Sequence, residues 1–222
     1  MNENYLIDNE LFKYILNLYP KLEGKLGELR KKALEEDMPV ITDDVVRLMG
    51  FLLRLIKPCN ILEIGTCVGF SAIYMSGFLK EGGHITTIDR YPYMIERAKE
   101  NIADFGLTDK ITLLEGDAND ILPRLAKEGH KYDFIFMDAA KGQYINLLSY
   151  VIRLCKKDGV IVADDIFQNG TVAKKWEDIP HRQKTIYSRL NEFLYAITHN
   201  ESLYTSILTL SDGIALMQKI SE

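Results

Sequence analysis

The sequence predicts an α/β protein built on a mostly parallel β-sheet, with helices on both faces, a helical extension before the sheet and an antiparallel hairpin after it. From residue 61 onward, short apolar runs alternate with segments of helical periodicity, which is typical of a parallel sheet with helical crossovers. Residues 1–57 show helical periodicity only. Two β-rich runs, LYTSILTL and IALMQKI, flank a Ser-Asp-Gly turn and predict the hairpin.

The composition is that of one globular domain. The chain has 222 residues, of which 47% are hydrophobic and 27% are charged, so it is long enough for one well-buried core. We therefore expect a single domain, with residues 1–57 as the helical extension and residues 58–222 as the α/β core. The formal net charge of −5 argues against extensive coating of nucleic acid but leaves room for a local basic patch.

Cysteine usage and the amino terminus indicate a reducing compartment. Cys59, Cys67 and Cys155 form no C-x-x-C pair and are odd in number, so neither a disulfide framework nor a structural zinc site is predicted. The first residues are polar and acidic, and no window approaches the roughly 18 apolar residues of a membrane span. We expect a cytoplasmic protein that does not enter a membrane.

The helical extension is predicted to contain amphipathic helices. Pro20 separates two apolar stripes, one formed by Leu11, Ile15 and Leu18 and the other by Leu22, Leu26 and Leu29. Thr42 is placed to cap a further helix, whose apolar stripe comprises Val45, Leu48, Met49, Leu52 and Leu55 before Pro58 ends it. Such an extension covers an active site or forms a subunit interface. The sequence leaves both open, and we expect a homodimer.

Five strand and helix pairs follow the extension. The predicted strands are residues 61–64, 84–89, 111–118, 132–142 and 159–165. The helix after the second strand is predicted to start at Pro92 and stop at Gly106, and the helix after the third to cover about residues 118–128. The helix after the fourth is predicted to turn Leu147, Leu148, Val151, Ile152 and Cys155 inward. A broken helical region, split by Pro180, is predicted between the fifth strand and the hairpin.

A glycine-containing turn after the first strand predicts a ligand site. In NILEIGTCVGFS, residues 60–71, the apolar run breaks at Gly65, and Gly69 precedes a segment of helical spacing. The dinucleotide fingerprint G-x-G-x-x-G is absent, because Cys67 and Phe70 stand where it requires glycine, so a dehydrogenase is disfavoured. The spacing Glu63-x-Gly65-x-x-x-Gly69 instead resembles motif I of the class I S-adenosylmethionine (SAM) methyltransferases, in which the acidic residue faces the ammonium group of the ligand. This resemblance implies a Rossmann-like sheet of seven strands. The alternative is an ordinary turn with one exposed glutamate.

Two further strand ends carry residues suited to a nucleoside. Ligands of open α/β sheets bind at the carboxyl ends of the strands, so Asp89 at the end of the second strand is placed to accept hydrogen bonds from ribose hydroxyls. Gly116, Asp117 and Ala118 follow the third strand, where related methyltransferases hold the adenine. For Asp117, capping of the following helix is an equally weighted alternative.

Three carboxylates at neighbouring strand ends point to a metal site. Asp138 terminates the fourth predicted strand, and Asp164 and Asp165 terminate the fifth. Such side chains repel one another unless a proton or a cation lies among them. All-oxygen ligation without His or Cys suits Mg²⁺, and Mn²⁺ or Ca²⁺ fit the same description. The alternative is that some of these aspartates cap the following helices.

Together, these motifs resemble the cation-dependent O-methyltransferase family that includes catechol and caffeoyl-CoA O-methyltransferases. The likeness rests on LEIGTCVGFSAIYM, the acidic end of the second strand, EGDA, MDAAKGQY and the acidic pair after the fifth strand, and it spans about residues 38–220. It implies that SAM contacts Val40, Glu63, Gly65, Ser71, Asp89, Gly116, Asp117, Ala118 and Asp138. It also implies that Asp138, Asp164 and Asp165 bind the metal and that Lys141 acts with Asp138 in catalysis, as the base. The family usually has Asp-Asn where this chain has Asp164-Asp165, which adds a third formal negative charge.

The methyl acceptor is the least determined part of the prediction. DAAKGQY and the helix after QNG most resemble the bacterial branch that contains tRNA 5-hydroxyuridine methyltransferase, which implies a tRNA acceptor. Residues 168–190 carry five basic and two acidic side chains. They include Lys174, Lys175, Arg182 and Lys184, which we expect to meet phosphates, and Tyr144 is expected to line the acceptor pocket. A small catechol-like acceptor and a non-catalytic module that binds SAM or RNA are the alternatives.

Overall fold

The fold is a seven-stranded mixed sheet flanked by helices, as predicted. The computed structural model describes residues 9–221. The strands are β1 (Asn60–Ile64), β2 (His84–Asp89), β3 (Ile111–Glu115), β4 (Tyr132–Met137), β5 (Cys155–Ala163), β6 (Leu203–Leu208) and β7 (Ile214–Lys219). Their order in the sheet is β3-β2-β1-β4-β5-β7-β6. β1 to β5 are parallel, whereas β7 pairs antiparallel with both β5 and β6. The predicted hairpin is therefore confirmed.

Eight α-helices occur in the described part of the chain. Three precede the sheet: α1 (Asn9–Leu18), α2 (Gly24–Glu35) and α3 (Asp43–Ile56). The others are α4 (Phe70–Ser76), α5 (Pro92–Asp104), α6 (Ala118–Lys127), α7 (Tyr144–Leu154) and α8 (Lys184–Thr198). The helical periodicity predicted for residues 1–8 lies outside the described range. None of the described helices is long and apolar enough to cross a membrane.

Successive side chains along a strand point to opposite faces of the sheet, and each face packs into its own hydrophobic core. In β4, Phe134 and Phe136 join the core beneath α2 to α5, while Ile135 and Met137 join the core beneath α6 to α8. This period of two is what a strand buried on both faces requires. The predicted site residues Asp89, Asp138 and Asp164 lie at or just beyond the carboxyl ends of β2, β4 and β5.

Several predicted boundaries are wrong by a few residues. β3 ends at Glu115 and β4 at Met137, because the chain turns there to place the next residues at the sheet edge. β5 begins at Cys155, immediately after α7, so this buried cysteine belongs to the strand and not to the helix. The broken helical region consists of three short 3₁₀ turns, Thr171–Ala173, Trp176–Asp178 and His181–Gln183, which lead into α8.

The face that α3 buries also differs from the predicted stripe. Leu55 is 67% exposed, whereas Val46 and Leu53 are buried. Gly50 explains the rotation, because a Cβ at that position would lie 2.2 Å from the hydroxyl oxygen of Tyr74 on α4. The Tyr74 hydroxyl donates a hydrogen bond to the Val46 carbonyl (3.0 Å), so the two helices meet through this contact. Thr42 does occupy the predicted N-cap position, but its hydroxyl donates to Asp44 and makes no capping bond to the backbone.

Candidate functional site

The turn after β1 is shaped by its first glycine. Gly65 has a φ of 102°, and a Cβ there would lie 2.0 Å from the carbonyl oxygen of Asp138. Only glycine can therefore bring this turn against the end of β4. The Gly65 amide donates to the Ile88 carbonyl (2.9 Å), and the Asp138 amide donates to the Ile64 carbonyl (2.9 Å). The ends of β1, β2 and β4 are thus joined directly beneath the candidate site.

Asp89 organises the two turns that border the site. One carboxylate oxygen accepts hydrogen bonds from the amides of Thr66 (3.1 Å) and Cys67 (3.0 Å). The other accepts from the amides of Arg90 (2.7 Å) and Tyr91 (3.0 Å). Four backbone donors therefore converge on one side chain at the end of β2. The position matches the prediction, and the carboxylate also fixes the loop after β1 against the loop after β2.

Asp117 is the N-cap of α6, which was one of its two predicted roles. Its Oδ1 accepts from the Asn119 amide (2.9 Å) and from the Asn119 side chain (2.7 Å), while Oδ2 accepts from Arg90 (2.7 Å). The hydrogen bonds to Asn119 and to Arg90 lower the pKa of Asp117. The same residue also lines the cavity described below, so the two roles are compatible.

Glu63 lies within the protein on the face of the sheet that α4 covers. It is fully buried, and Thr87 donates a hydrogen bond to its Oε2. Within residues 9–221, Oε1 has no hydrogen-bond partner. Burial raises the pKa of Glu63 to about 8, although the hydroxyl groups of Ser71 and Thr87 lower it and the charges of Asp138 and Asp89 raise it further. A buried carboxylate with an unpartnered oxygen is costly, which is why the protonated form of Glu63 is favoured here.

A cavity of about 300 Å³ opens at the carboxyl ends of β1 to β4. Six of the predicted SAM-contacting residues form part of its wall: Gly65, Asp89, Gly116, Asp117, Ala118 and Asp138. Three others do not: Val40 packs in the core beneath α3, and Glu63 and Ser71 are buried behind the wall. The lining combines carboxylates with apolar side chains such as Ile88, Met94 and Leu147. Such a lining suits a nucleoside that carries positive charge.

Several lining residues were missed by sequence reasoning. Pro39 in the loop before α3, Met94 on α5 and Gln143 before α7 all border the cavity. Pro39 and Met94 have no local motif, because each reaches the wall only through the packing of its helix or loop, whereas Gln143 lies within MDAAKGQY but was given no role. Pro39 shows that the helical extension covers part of the site, which was one of the two roles left open for it.

Next to this cavity, Lys141 joins two of the predicted metal ligands. Its Nζ lies 2.9 Å from Asp138 Oδ1 and 3.1 Å from Asp165 Oδ2. Burial acts to lower the pKa of Lys141, but the surroundings of Tyr144, Asp138 and Asp165 raise it above its ordinary value. The ammonium form is therefore favoured in this arrangement. A base role requires that these ion pairs first be broken.

The three predicted metal ligands lie at the ends of β4 and β5, as expected. Burial raises the pKa of Asp164 to about 7, and the charges of Asp138 and Asp165 raise it further. Burial also raises the pKa of Asp138, although Lys141 opposes the shift. Asp165 adopts a left-handed backbone conformation with a φ of 54°, which Asp and Asn tolerate better than other side chains. The carboxylate repulsion that the sequence predicted is therefore present.

The geometry around these carboxylates is that of an ion-pair network. Among residues 9–221, no three His, Cys, Asp or Glu side chains are arranged closely enough to hold a metal ion. Lys141 takes the position between Asp138 and Asp165 instead. The donor types nevertheless fit a hard divalent cation, because three carboxylates against one ammonium leave two formal negative charges uncompensated.

Tyr144 is a core residue, which corrects the prediction that it lines the acceptor pocket. Its side chain is fully buried, and its ring makes an edge-on contact with Phe193 of α8. The hydroxyl lies 3.1 Å from the Met137 carbonyl and 3.0 Å from the Asp164 carbonyl. Tyr144 therefore ties the ends of β4 and β5 together from below, because α7 begins directly at this residue and turns its first side chain inward.

A second cavity, of about 520 Å³, adjoins the first. Lys141 belongs to the walls of both, and Asp165, Asn169, Arg189 and Asp212 line the second. Arg189 on α8, one of the five basic residues counted in the segment 168–190, donates to the Gly142 carbonyl (2.9 Å). The four predicted phosphate-contacting residues lie outside both walls: Lys174, Lys175 and Arg182 are on the turns that lead into α8, and Lys184 is its first residue.

Comparisons with known proteins give a consistent family for this chain. A profile described as O-methyltransferase matches residues 20–220. The chain is 31% identical to caffeoyl-CoA O-methyltransferase from Eucalyptus gunnii, covering 99% of this chain and 91% of that protein. It is also 31% identical to catechol O-methyltransferase from Niastella koreensis, covering 95% of this chain and 98% of that protein. Among solved structures, the O-methyltransferase TomG from Streptomyces achromogenes, in complex with SAM, superposes with a TM-score of 0.83 at 24% identity and full coverage of both chains.

Proposed function

Since this chain belongs to the SAM-dependent O-methyltransferase family of the caffeoyl-CoA and catechol type, we propose that it methylates the 5-hydroxyl group of 5-hydroxyuridine in tRNA. Family membership favours an enzyme over a non-catalytic binding module. The observation that carries the proposal is the adjacency of two cavities that share Lys141. The first suits the methyl donor and the second suits the acceptor, with the carboxylate cluster between them.

The residues around the first cavity have distinct tasks in this proposal. Asp89 and Asp117 hold the surrounding loops in place and present acidic edges to the nucleoside. Glu63 is fully buried behind the cavity wall, so it acts through the turn after β1 and does not contact the nucleoside in this arrangement. When bound, SAM supplies a methyl group on a positively charged sulfur, which an acidic cavity stabilises. The chain's part is to orient this donor toward the second cavity.

A divalent cation is part of the proposal, with Asp138, Asp164 and Asp165 as its ligands. When bound, Mg²⁺ would orient two neighbouring acceptor oxygens and favour loss of a proton from one of them. Lys141 would then leave the position between Asp138 and Asp165 and release its own proton to solvent, because the charge of the cation lowers its pKa, and the neutral amine would be free to take up the proton of the acceptor. We expect chelation to abolish turnover and Mg²⁺ or Mn²⁺ to restore it. Full activity after exhaustive chelation would contradict this part of the proposal.

The choice of acceptor rests on sequence likeness and on charge. The resemblance of DAAKGQY to the tRNA-modifying branch favours tRNA, and the basic residue Lys184 directly precedes Thr185 and Ile186 of the second cavity wall. A small catechol-like acceptor remains the second candidate, because the catechol O-methyltransferase relative matches almost the whole chain. Both acceptors present two neighbouring oxygens, so the carboxylate cluster alone does not separate them.

We also propose a homodimer. Helices α1 and α3 expose large apolar side chains that a subunit interface would cover, including Leu11, Tyr14, Leu18, Phe51 and Leu55. Light scattering on the purified protein should give twice the mass of one chain, which is 25.4 kDa. A monomer at all concentrations would contradict this assignment.

The decisive experiment compares acceptors side by side. Purified protein is given labelled SAM, Mg²⁺ and either undermodified tRNA containing 5-hydroxyuridine or a set of catechol-like phenols. We expect transfer to tRNA with the higher kcat/KM. Transfer to phenols with none to tRNA would assign a small-molecule acceptor, and Asp164→Asn should abolish transfer to either one.

A further inference from the structure

Trp176 is a large aromatic side chain on an exposed turn. It lies in the 3₁₀ turn Trp176–Asp178 and is 46% exposed. The Nζ of Lys184 lies 4.5 Å from the centre of its ring system, and the ring of Tyr187 lies 5.7 Å away. The Tyr187 hydroxyl donates to the Lys174 carbonyl (3.1 Å), which holds this turn against α8. The indole is thus fixed in place while nearly half of its surface stays open to solvent.

The basic residues around Trp176 are not neutralised by neighbours. Within the described range, Lys174, Lys175, Arg182 and Lys184 have no carboxylate within ion-pairing distance. The two acidic residues of this segment, Glu177 and Asp178, are exposed and form no ion pair there either. A chain with a net charge of −5 therefore carries a local cluster of available positive charge around one exposed indole.

This surface lies across α8 from the second cavity. On the first turn of α8, Lys184 and Tyr187 contact Trp176, whereas Thr185 and Ile186 line the cavity wall. Arg189, one turn further along, lines the same cavity. At 3.6 residues per turn these two sets of residues lie on opposite faces of the helix, so one helix diameter, roughly 10 Å, separates Trp176 from the cavity wall.

We propose that Trp176 is a stacking platform for an unpaired nucleobase next to the nucleotide that is methylated, with the surrounding lysines and arginine contacting its phosphates. The inference rests on the proposed tRNA acceptor and specifies that the enzyme binds a single-stranded loop. An exposed indole can stack only on a base that is free of its own stack, and aromatic stacking combined with a cationic surface is how proteins hold single strands. Phosphate contacts would position the loop without selecting its sequence.

The test uses intrinsic fluorescence, because Trp176 is the only tryptophan in the chain. The protein is titrated with a short single-stranded RNA, with the same RNA annealed to its complement, and with free coenzyme A. We expect quenching of Trp176 emission by the single strand and little quenching by the duplex or by coenzyme A. Quenching by coenzyme A but not by RNA would overturn the inference, because the platform would then serve a nucleotide-bearing small molecule.

Variants test the same surface through affinity and turnover. Trp176→Ala should weaken binding of the single strand by roughly 5- to 100-fold, the range expected for one stacked base, and raise the KM for tRNA with little change in kcat. Trp176→Tyr should restore most of the affinity because it keeps an aromatic face. Tyr195→Ala is the matched control, since Tyr195 is an exposed aromatic at the far end of α8, 66% exposed and stacked on His199.

The failure of this inference can be told apart from the failure of the proposed function. If tRNA is methylated and Trp176→Ala leaves its KM unchanged, the platform is wrong and the acceptor is right. If tRNA is never methylated while a catechol is, the proposed acceptor is wrong. In that case, lack of quenching by single-stranded RNA would also overturn the platform.

Discussion

At the scale of single residues, Glu63 shows how burial turns a carboxylate into a pH-dependent element of stability. Its pKa rises from an ordinary 4.5 to about 8 in the folded protein. Between these values, the folded state keeps a proton that the unfolded state has released, so the free energy of unfolding falls as pH rises through this window. Each unit of pKa shift corresponds to about 1.4 kcal/mol.

Glu63→Gln should remove this pH dependence. The variant stays neutral at every pH and can still accept the hydrogen bond from Thr87. We expect it to be more stable than the wild type above about pH 8 and to show a flatter stability profile between about pH 5 and pH 8. Urea unfolding across this range measures the effect, with Glu96→Gln on the exposed face of α5 as the control. Parallel profiles for wild type and Glu63→Gln would contradict the prediction.

Lys141 can act by taking up a proton or by supplying positive charge, and two substitutions separate these roles. Lys141→Arg keeps the charge that neutralises Asp138 and Asp165, but guanidinium does not act as a base in proteins. If Lys141 is the base, both Lys141→Met and Lys141→Arg should lower kcat by about two to four powers of ten. Affinity for SAM, measured by calorimetry, should stay near the wild-type value. Recovery of kcat in Lys141→Arg alone would assign the residue a purely electrostatic role.

At the scale of elements, α7 is anchored by Tyr144 to the two strands that carry the carboxylates. Tyr144→Phe removes the hydroxyl that lies near the Met137 and Asp164 carbonyls, and the Asp164 carbonyl then loses this buried donor. We expect a loss of about 1–3 kcal/mol in the free energy of unfolding. The measurement is urea denaturation of the protein without added metal, so that the result does not depend on cation binding.

Tyr132→Phe is the matched control for this effect. Tyr132 is also buried, at the opposite end of β4, but its hydroxyl makes only a long hydrogen bond of 3.3 Å to Thr86. We expect the smaller loss of stability in this variant. Equal losses in the two variants would show that the Tyr144 hydroxyl contributes no more to stability than the long hydrogen bond of Tyr132.

The elements that sequence reasoning predicted well are those set by local patterns. The turn at Gly65, the strand end at Asp89 and the cap at Asp117 each follow from a few neighbouring residues, and all three border the first cavity. The buried face of α3 was predicted incorrectly, because it depends on the contact between Gly50 and Tyr74, which are far apart in sequence. The inward turn of Tyr144 and the ion pairs of Lys141 depend on packing between β4, β5 and α7 in the same way. Local sequence therefore located the site, and tertiary contacts determined which side chains face it.

At the scale of the whole molecule, the charge distribution constrains how an acidic protein would bind the proposed tRNA acceptor. The net charge is −5, so long-range attraction to nucleic acid is weak and such binding would depend on local contacts. The unpaired basic residues on the turns before α8 and at its first residue are the candidates for these contacts. Binding should therefore fall only moderately as salt rises, in contrast to proteins that coat nucleic acid with many phosphate contacts.

Neutralising single cations should reduce this salt dependence in steps. For each of Lys174→Gln, Lys175→Gln, Arg182→Gln and Lys184→Gln that removes a phosphate contact, the slope of log affinity against log salt should fall by about 0.7 to 0.9. The KM for tRNA should rise at low salt, while kcat stays near wild type because these residues lie outside both cavity walls. Lys157→Gln is the control, since this exposed lysine lies near the start of β5, at the opposite end of that strand from Asp164 and Asp165. If all five variants give the same slope as the wild type, these lysines and this arginine do not contact phosphates, and tRNA must approach the second cavity from another side.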